Sequence, residues 1–237
     1  MQVHYEQAGQ VAVITIDRPE RRNAVNSDTA EALLHAWRRF EGDPGAAVAV
    51  LTGAGSHFSS GADLKDFDLV DRPEGFLGFT RIEVTKPTIA AVGGYCVAGG
   101  LEMALWCDLR VAGEDAVFGC FERRWGVPLV DGGTQRLPRL IGTGRALDMI
   151  LTGRAVTAEE AHRIGLVDRL VPAGSHVEAA IGLAGVIASF PQATVRSDRA
   201  AARAGAVLAE GLELEHRLGI QVLETAAEGA ARYREGH

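Results

Sequence analysis

Glu102 stands alone as a carboxylate in TIAAVGGYCVAGGLEMALWC, a run (residues 88–107) in which nearly every neighbour is apolar. Burying a carboxylate in such company is costly, which makes it a natural site for proton transfer. Gly99 and Gly100 precede it and open a segment too apolar on every side for a surface helix, so a core helix is predicted with Glu102 in its first turn. A helix start offers unpaired N–H groups and the positive end of a dipole, and glycine lets a ligand come close to that backbone. An oxyanion can be held there, with an acid or base one turn away. The structural alternative is that the glycines only allow close packing and the glutamate only complements the dipole.

Other residues invite the same question. FSSGADLKDF (residues 58–67) is expected to be a tight loop entering a short helix at Ala62, a second place where backbone N–H groups face a ligand. Glu122-Arg123-Arg124, taken by itself, reads as a solvated charge cluster. Asp131, ahead of Gly132-Gly133-Thr134, is either a cap or turn residue or a group facing a ligand. Gly53-Ala54-Gly55 hints at a dinucleotide fingerprint, but Phe58 stands where the third glycine belongs. Cys96, Cys107 and Cys120 are odd in number and lack metal or disulfide spacing, as expected of reduced core thiols in a cytoplasmic protein. With no HExxH or CxxC and seven scattered histidines, no metal is expected.

The elements that must position these groups follow from patterning. The chain has 237 residues, 47% of them hydrophobic, with helical Ala-rich segments alternating with Val/Ile runs, so α/β is the expected class. A net charge of −7 without long acidic blocks argues against nucleic acid as partner and against a basic membrane-surface patch. There is no long apolar run and no signal-peptide layout at the start. Strands are predicted at 11–16, 48–52, 89–92, 109–112 and 167–171, with a short one near 116–118. A helix capped by Ser27-Asp28, with Glu31 completing a capping box, should run to about residue 41. Further helices are expected after Asp131, at 145–151 and at 157–164, the last capped by Thr157 with Glu160. Residues 68–78 read as a polar, mobile excursion. From 175 onward the pattern is helical, broken at Pro191 and near Gly211, and must pack on the core or on a neighbouring subunit.

Taken together and in order, VAVITIDRPERRNAVN, AVLTGAGSHFSSGADLKDF, KPTIAAVGGYCVAGGLEMALWCDLRVAGEDAVFG, GGTQRLPRLIG and ALDMILTGRAVTAEEAHRIGLVDRLVP resemble the crotonase superfamily, the enoyl-CoA hydratase/isomerase family. The resemblance covers nearly the whole chain. It implies a crotonase-like spiral of repeated ββα units over residues 1–174, a helical trimerisation region over 175–237, and assembly as a homotrimer or as a homohexamer made of two trimers. It implies that the N–H groups of Ala62 and Gly99 form an oxyanion hole for a thioester enolate, and that Glu102 and Glu122 flank the substrate double bond. Contacts to coenzyme A, here part of the substrate and not a cofactor, would come from Arg22, Ala24, Ser60, Gly61, Ala62, Asp63 and Leu64. The expected reaction is syn hydration of a trans-2-enoyl-CoA to a 3-hydroxyacyl-CoA. The alternatives are an isomerase or hydrolase of the same family using Asp131, or a non-catalytic acyl-CoA-binding protein.

The chain departs from the family pattern at two loops. Cys120-Phe121-Glu122-Arg123-Arg124-Trp125 replaces a QPE followed by apolar residues, so the arginines are expected to pair with Glu122 and lower its pKa. Leu129-Val130-Asp131-Gly132-Gly133 replaces PGAGG and adds a third carboxylate near the acyl end.

Overall fold

The computed structural model describes residues 2–66 and 68–204. Its strands are β1 (Val3–Ala8), β2 (Val11–Ile16), β3 (Val48–Gly53), β4 (Thr88–Val92), β5 (Tyr95–Val97), β6 (Leu109–Gly113), β7 (Val117–Gly119), β8 (Val156–Thr157) and β9 (Arg169–Val171). Its helices are α1 (Ser27–Gly42), α2 (Gly99–Trp106), α3 (Gly133–Ile141), α4 (Thr143–Thr152), α5 (Ala158–Arg163), α6 (His176–Ala188) and α7 (Gln192–Ala204).

Six strands form the main sheet in the order β1-β2-β3-β4-β6-β9, parallel throughout except for the β1–β2 hairpin. A parallel sheet needs cover on both faces, and alternation along the strands sorts side chains between two apolar layers. Ile14, Leu51, Ala90 and Ala112 turn toward Leu33, Trp37 and Phe40 of α1 and toward α2. Val48, Val50, Ile89, Ala91 and Val111 turn toward Ala180, Leu183 and Ala184 of α6. Full burial of each large aliphatic side chain stabilises by ~1.5–3 kcal/mol, so these two layers fix the sheet on which the loops at its ends depend. A second sheet, β5-β7-β8, stands beside the first.

Several local expectations need correction. The α1 cap is Asn26, whose side chain accepts from Thr29 N at 3.1 Å, while Glu31 lies beside His35 at 3.8 Å and makes no capping box. No helix begins at Ala62: the Asp63 carboxylate accepts from Lys65 N at 3.0 Å and Asp66 N at 3.3 Å, and this local turn competes with helix formation. Part of the 68–78 excursion is anchored, since Arg38 pairs with Glu74 at 2.7 Å and Leu77 is buried. The apolar positions Leu208, Leu212, Leu218, Ile220, Val222 and Leu223, and the break near Gly211, lie outside the described residues.

Candidate active site

Two backbone segments meet at one end of the sheet. The first is the start of α2. Ala98, its cap, has φ 54° and ψ −128°, a backbone state that costs an L-residue of order 1–3 kcal/mol. Ala98 N donates to Gly119 O at 2.9 Å and Glu102 N to Ala98 O at 3.2 Å, while Gly99 N, in the unpaired first turn, donates to no protein acceptor among the described residues. The second segment is residues 59–66. Ala62 sits opposite Val25 in a parallel bridge whose bonds run from Val25 N to Gly61 O and from Asp63 N to Val25 O. That pattern leaves the N–H of Ala62 itself unused by the bridge.

Gly61 lies between the two segments with φ +85°, and a Cβ placed on it would stand 2.5 Å from Gly99 N. Only glycine permits this approach, which brings the starts of the two segments together. Ala62 and Gly99 both line a cavity of about 780 Å³.

Glu102, Glu122 and Asp131 line the same cavity, as do Glu20 and Asp63. Glu102 projects from the first turn of α2, and its Oε1 accepts from Asp131 N at 2.9 Å and Gly133 N at 2.8 Å. Gly133 leaves the space this needs, since a Cβ there would lie 3.0 Å from Oε1. Burial pushes the Glu102 pKa up to about 7, the two N–H donors pull against it, and the charges of Asp131 and Glu122 raise it further. Glu122 lies in a short 3-10 turn and is 5% exposed, and neither carboxylate oxygen has a partner among the described residues. Burial raises its pKa too.

This overturns both expectations for the Glu122 loop. Glu122 is no part of a solvated cluster, and the arginines do not pair with it. Arg123 Nε donates to Ile150 O at 3.2 Å and Arg124 Nη2 to Gly153 O at 2.9 Å. The guanidinium groups thus serve the carbonyls at the C-terminal end of α4, where cations are favoured. Arg123 exerts only a long-range lowering effect that burial outweighs.

Asp131 is 2% exposed and does not cap α3, whose N-cap is Gly132. Its Oδ1 accepts from Leu77 N at 3.3 Å and from Thr80 Oγ1. Burial raises its pKa against these bonds.

Arg22, Ala24, Ser60, Ala62, Asp63 and Leu64 line the cavity as the sequence suggests, with Gly61 beside Gly99. Glu20, Arg21 and Lys65 join them unforeseen. Phe76, Leu77, Val127, Pro128 and Val130 supply apolar lining. Arg18 is a further residue that sequence reasoning missed. Buried at 8% exposure, it pairs with Asp63 at 2.9 Å and donates to Ala24 O, tying together the two strips that flank Ala62. Asp63 is held below the usual carboxylate range: burial would raise it, but the Lys65 N–H, Arg18 and Asp66 N–H bonds prevail. Among the described residues no group of three or more His, Cys, Asp and Glu is disposed to hold a metal ion.

Known proteins match this architecture along its length. The enoyl-CoA hydratase/isomerase family model matches residues 6–237. A probable enoyl-CoA hydratase of Rhizobium meliloti (strain 1021) is 39% identical over 238 residues, covering 96% of this chain and 93% of that protein. A short-chain-enoyl-CoA hydratase of Clostridium acetobutylicum is 40% identical over 209 residues, covering 84% of this chain and 80% of its own. The crystal structure of enoyl-CoA hydratase from Mycobacterium tuberculosis H37Rv superposes with a TM-score of 0.95 at 38% identity, covering all of this chain and 96% of that one. With the fold, the end-to-end match and the sequence identities in agreement, this chain belongs to the enoyl-CoA hydratase/isomerase family of the crotonase superfamily.

Proposed function

We propose that the protein is an enoyl-CoA hydratase, adding water syn across the double bond of a trans-2-enoyl-CoA to give a 3-hydroxyacyl-CoA. The observation that carries this reading is the pair Glu102 and Glu122. Both are buried, both have raised pKa values, and both line the cavity that Ala62 and Gly99 share.

In this reaction the oxygen of water bonds to Cβ of the acyl group while one glutamate, ionised, takes a proton from that water. The π electrons move toward the thioester, whose carbonyl oxygen becomes the enolate oxyanion. The N–H groups of Ala62 and Gly99 stabilise the charge as it develops, each donor contributing ~3–4 kcal/mol. The other glutamate, protonated, delivers its proton to Cα, and the carbonyl re-forms. Two like charges in one buried site disfavour double ionisation, so a raised pKa on each suits a pair that holds one proton between them.

Arg22, Ser60 and Lys65 suit the coenzyme A moiety, and the apolar lining of Phe76, Leu77, Val127, Pro128 and Val130 suits the acyl chain. The protein works as a homotrimer or a homohexamer, in the cytoplasm, on an acyl-CoA thioester with coenzyme A as part of the substrate. A second reading has one supporting observation: Asp131 also lines the cavity with a raised pKa, as an isomerase or hydrolase using it would require.

Incubation with crotonyl-CoA and with a longer trans-2-enoyl-CoA, followed by mass analysis, separates these readings. Gain of one water is expected. Unchanged mass with a moved double bond would establish isomerisation instead, free coenzyme A hydrolysis, and an unaltered ester an acyl-CoA-binding role.

A further inference from the structure

Asp131 joins two parts of the site at once. Its backbone N–H donates to Glu102 Oε1 at 2.9 Å. Its side chain accepts from Leu77 N at 3.3 Å and from Thr80 Oγ1. The turn so held is tight: Gly75 has φ +100°, and a Cβ there would strike both the Thr80 hydroxyl and Asp131 Oδ1. Arg136 reinforces the same junction, donating to Asp131 O at 2.8 Å and Thr80 O at 2.6 Å. At its other edge the turn touches the oxyanion donor, since a Cβ on Gly99 would lie 2.9 Å from Leu77 Cδ1. The Phe76–Leu77 wall is thereby wedged between Gly99 and the loop that clamps Glu102.

We propose that Asp131 is a positioning residue, not a third proton carrier: its carboxylate locks the Phe76–Leu77 wall to Gly99 and Glu102, so the acyl chain's fit sets their alignment. The inference rests on the hydration reading. It makes Asp131 and Thr80 determinants of acyl-chain selectivity, although Thr80 itself does not line the cavity. An amide keeps the lock, because Asn Oδ1 still accepts from Leu77 N and Thr80 Oγ1. A proton carrier tolerates no such change. Displacements on the order of 1 Å at a reacting centre cost about 10²-fold in rate, so a loosened wall is readable in turnover as well as in binding.

The test compares Asp131→Asn, Asp131→Ala and Thr80→Val in the full chain. Calorimetry gives Kd for butyryl-CoA and for a long-chain saturated acyl-CoA, neither of which can be hydrated, and kcat and KM are measured on crotonyl-CoA. Asp131→Asn is expected to keep the parent's short-to-long Kd ratio within about threefold and to lose much less kcat than Asp131→Ala. Asp131→Ala and Thr80→Val are expected to shift the short-to-long Kd ratio by about fivefold or more and to lower kcat on crotonyl-CoA at least about tenfold. A folded Thr80→Val protein with the parent's Kd ratio and kcat overturns the proposal. So does an Asp131→Asn protein as impaired as Asp131→Ala. If Asp131→Ala does not fold, Thr80→Val and Asp131→Asn still decide. The saturated ligands report on the lock even if the parent hydrates nothing, which keeps its failure distinct from failure of the hydratase reading.

Discussion

Glu102 sits in a helix whose other side chains are apolar, and its electrostatics have a consequence for stability as well as for catalysis. Its pKa in the folded protein is raised from 4.5 to about 7, chiefly by burial. The folded state therefore holds this proton more tightly than the unfolded chain. The resulting stabilisation is complete below the unfolded pKa and is lost as pH rises through about 7. Glu102→Gln is neutral at every pH and can still accept from Asp131 N and Gly133 N. It is expected to be more stable than the parent above pH ~8, by ~1–3 kcal/mol, and to converge with it below pH ~5. Urea unfolding at the two pH values checks this; an equal or lower midpoint for the variant at high pH contradicts it. Glu102 was legible in the sequence because an ionisable group in an apolar run stands out locally. Glu122 was not, on its own residues. Glu-Arg-Arg has the composition of a surface, and only the carbonyls of Ile150 and Gly153 draw the two arginines away and leave the carboxylate alone in the cavity wall. The family resemblance identified it where local chemistry did not.

Between elements, what matters is how the 59–66 segment is held against α2. Arg18 and Asp63 form a buried pair, and breaking one partner of such a pair leaves a charge uncompensated. Arg18→Met is expected to destabilise the protein by ~3–5 kcal/mol and to lower kcat through misplacement of Ala62. Adding Asp63→Asn should restore much of the stability, because the asparagine oxygen can still accept from Lys65 N. A single variant within ~1 kcal/mol of the parent in denaturant unfolding contradicts the assigned role of the pair. The principal strands were readable from their apolar runs, α1 from its amphipathic pattern though not its cap, α2 from its apolarity on every side and α5 from its Thr157 cap, since these signals are local. The expected helix at Ala62 failed because Asp63 spends its carboxylate on Lys65 N and Asp66 N. β1 escaped notice because VHYEQA is an edge strand with an exposed, polar second half, and β5 because only four residues separate the glycine pairs on either side. Arg18 gave no signal at all, since its partner lies far along the chain.

For the whole molecule, two apolar layers hold the sheet, and some apolar surface is left over. Leu147 and Leu151, one turn apart on α4, are 44% and 70% exposed, and Phe190 beyond α6 is 53% exposed. Burial of such surface between subunits accords with the proposed trimer or hexamer. Light scattering at micromolar concentration is expected to report three or six copies, and a monomer contradicts that assembly. The central claim is narrower: one buried glutamate takes a proton from water and the other gives its own to Cα, in a cavity where two backbone N–H groups hold the oxyanion. Glu122 is the sharper of the two to test, because both its oxygens lack a partner among the described residues, so that Gln in its place disturbs no bond there. The decisive measurement is steady-state hydration of crotonyl-CoA by Glu122→Gln. The account predicts kcat lowered by ~10²–10⁴ with KM within a few-fold of the parent. A folded variant that retains kcat within about tenfold of the parent contradicts it.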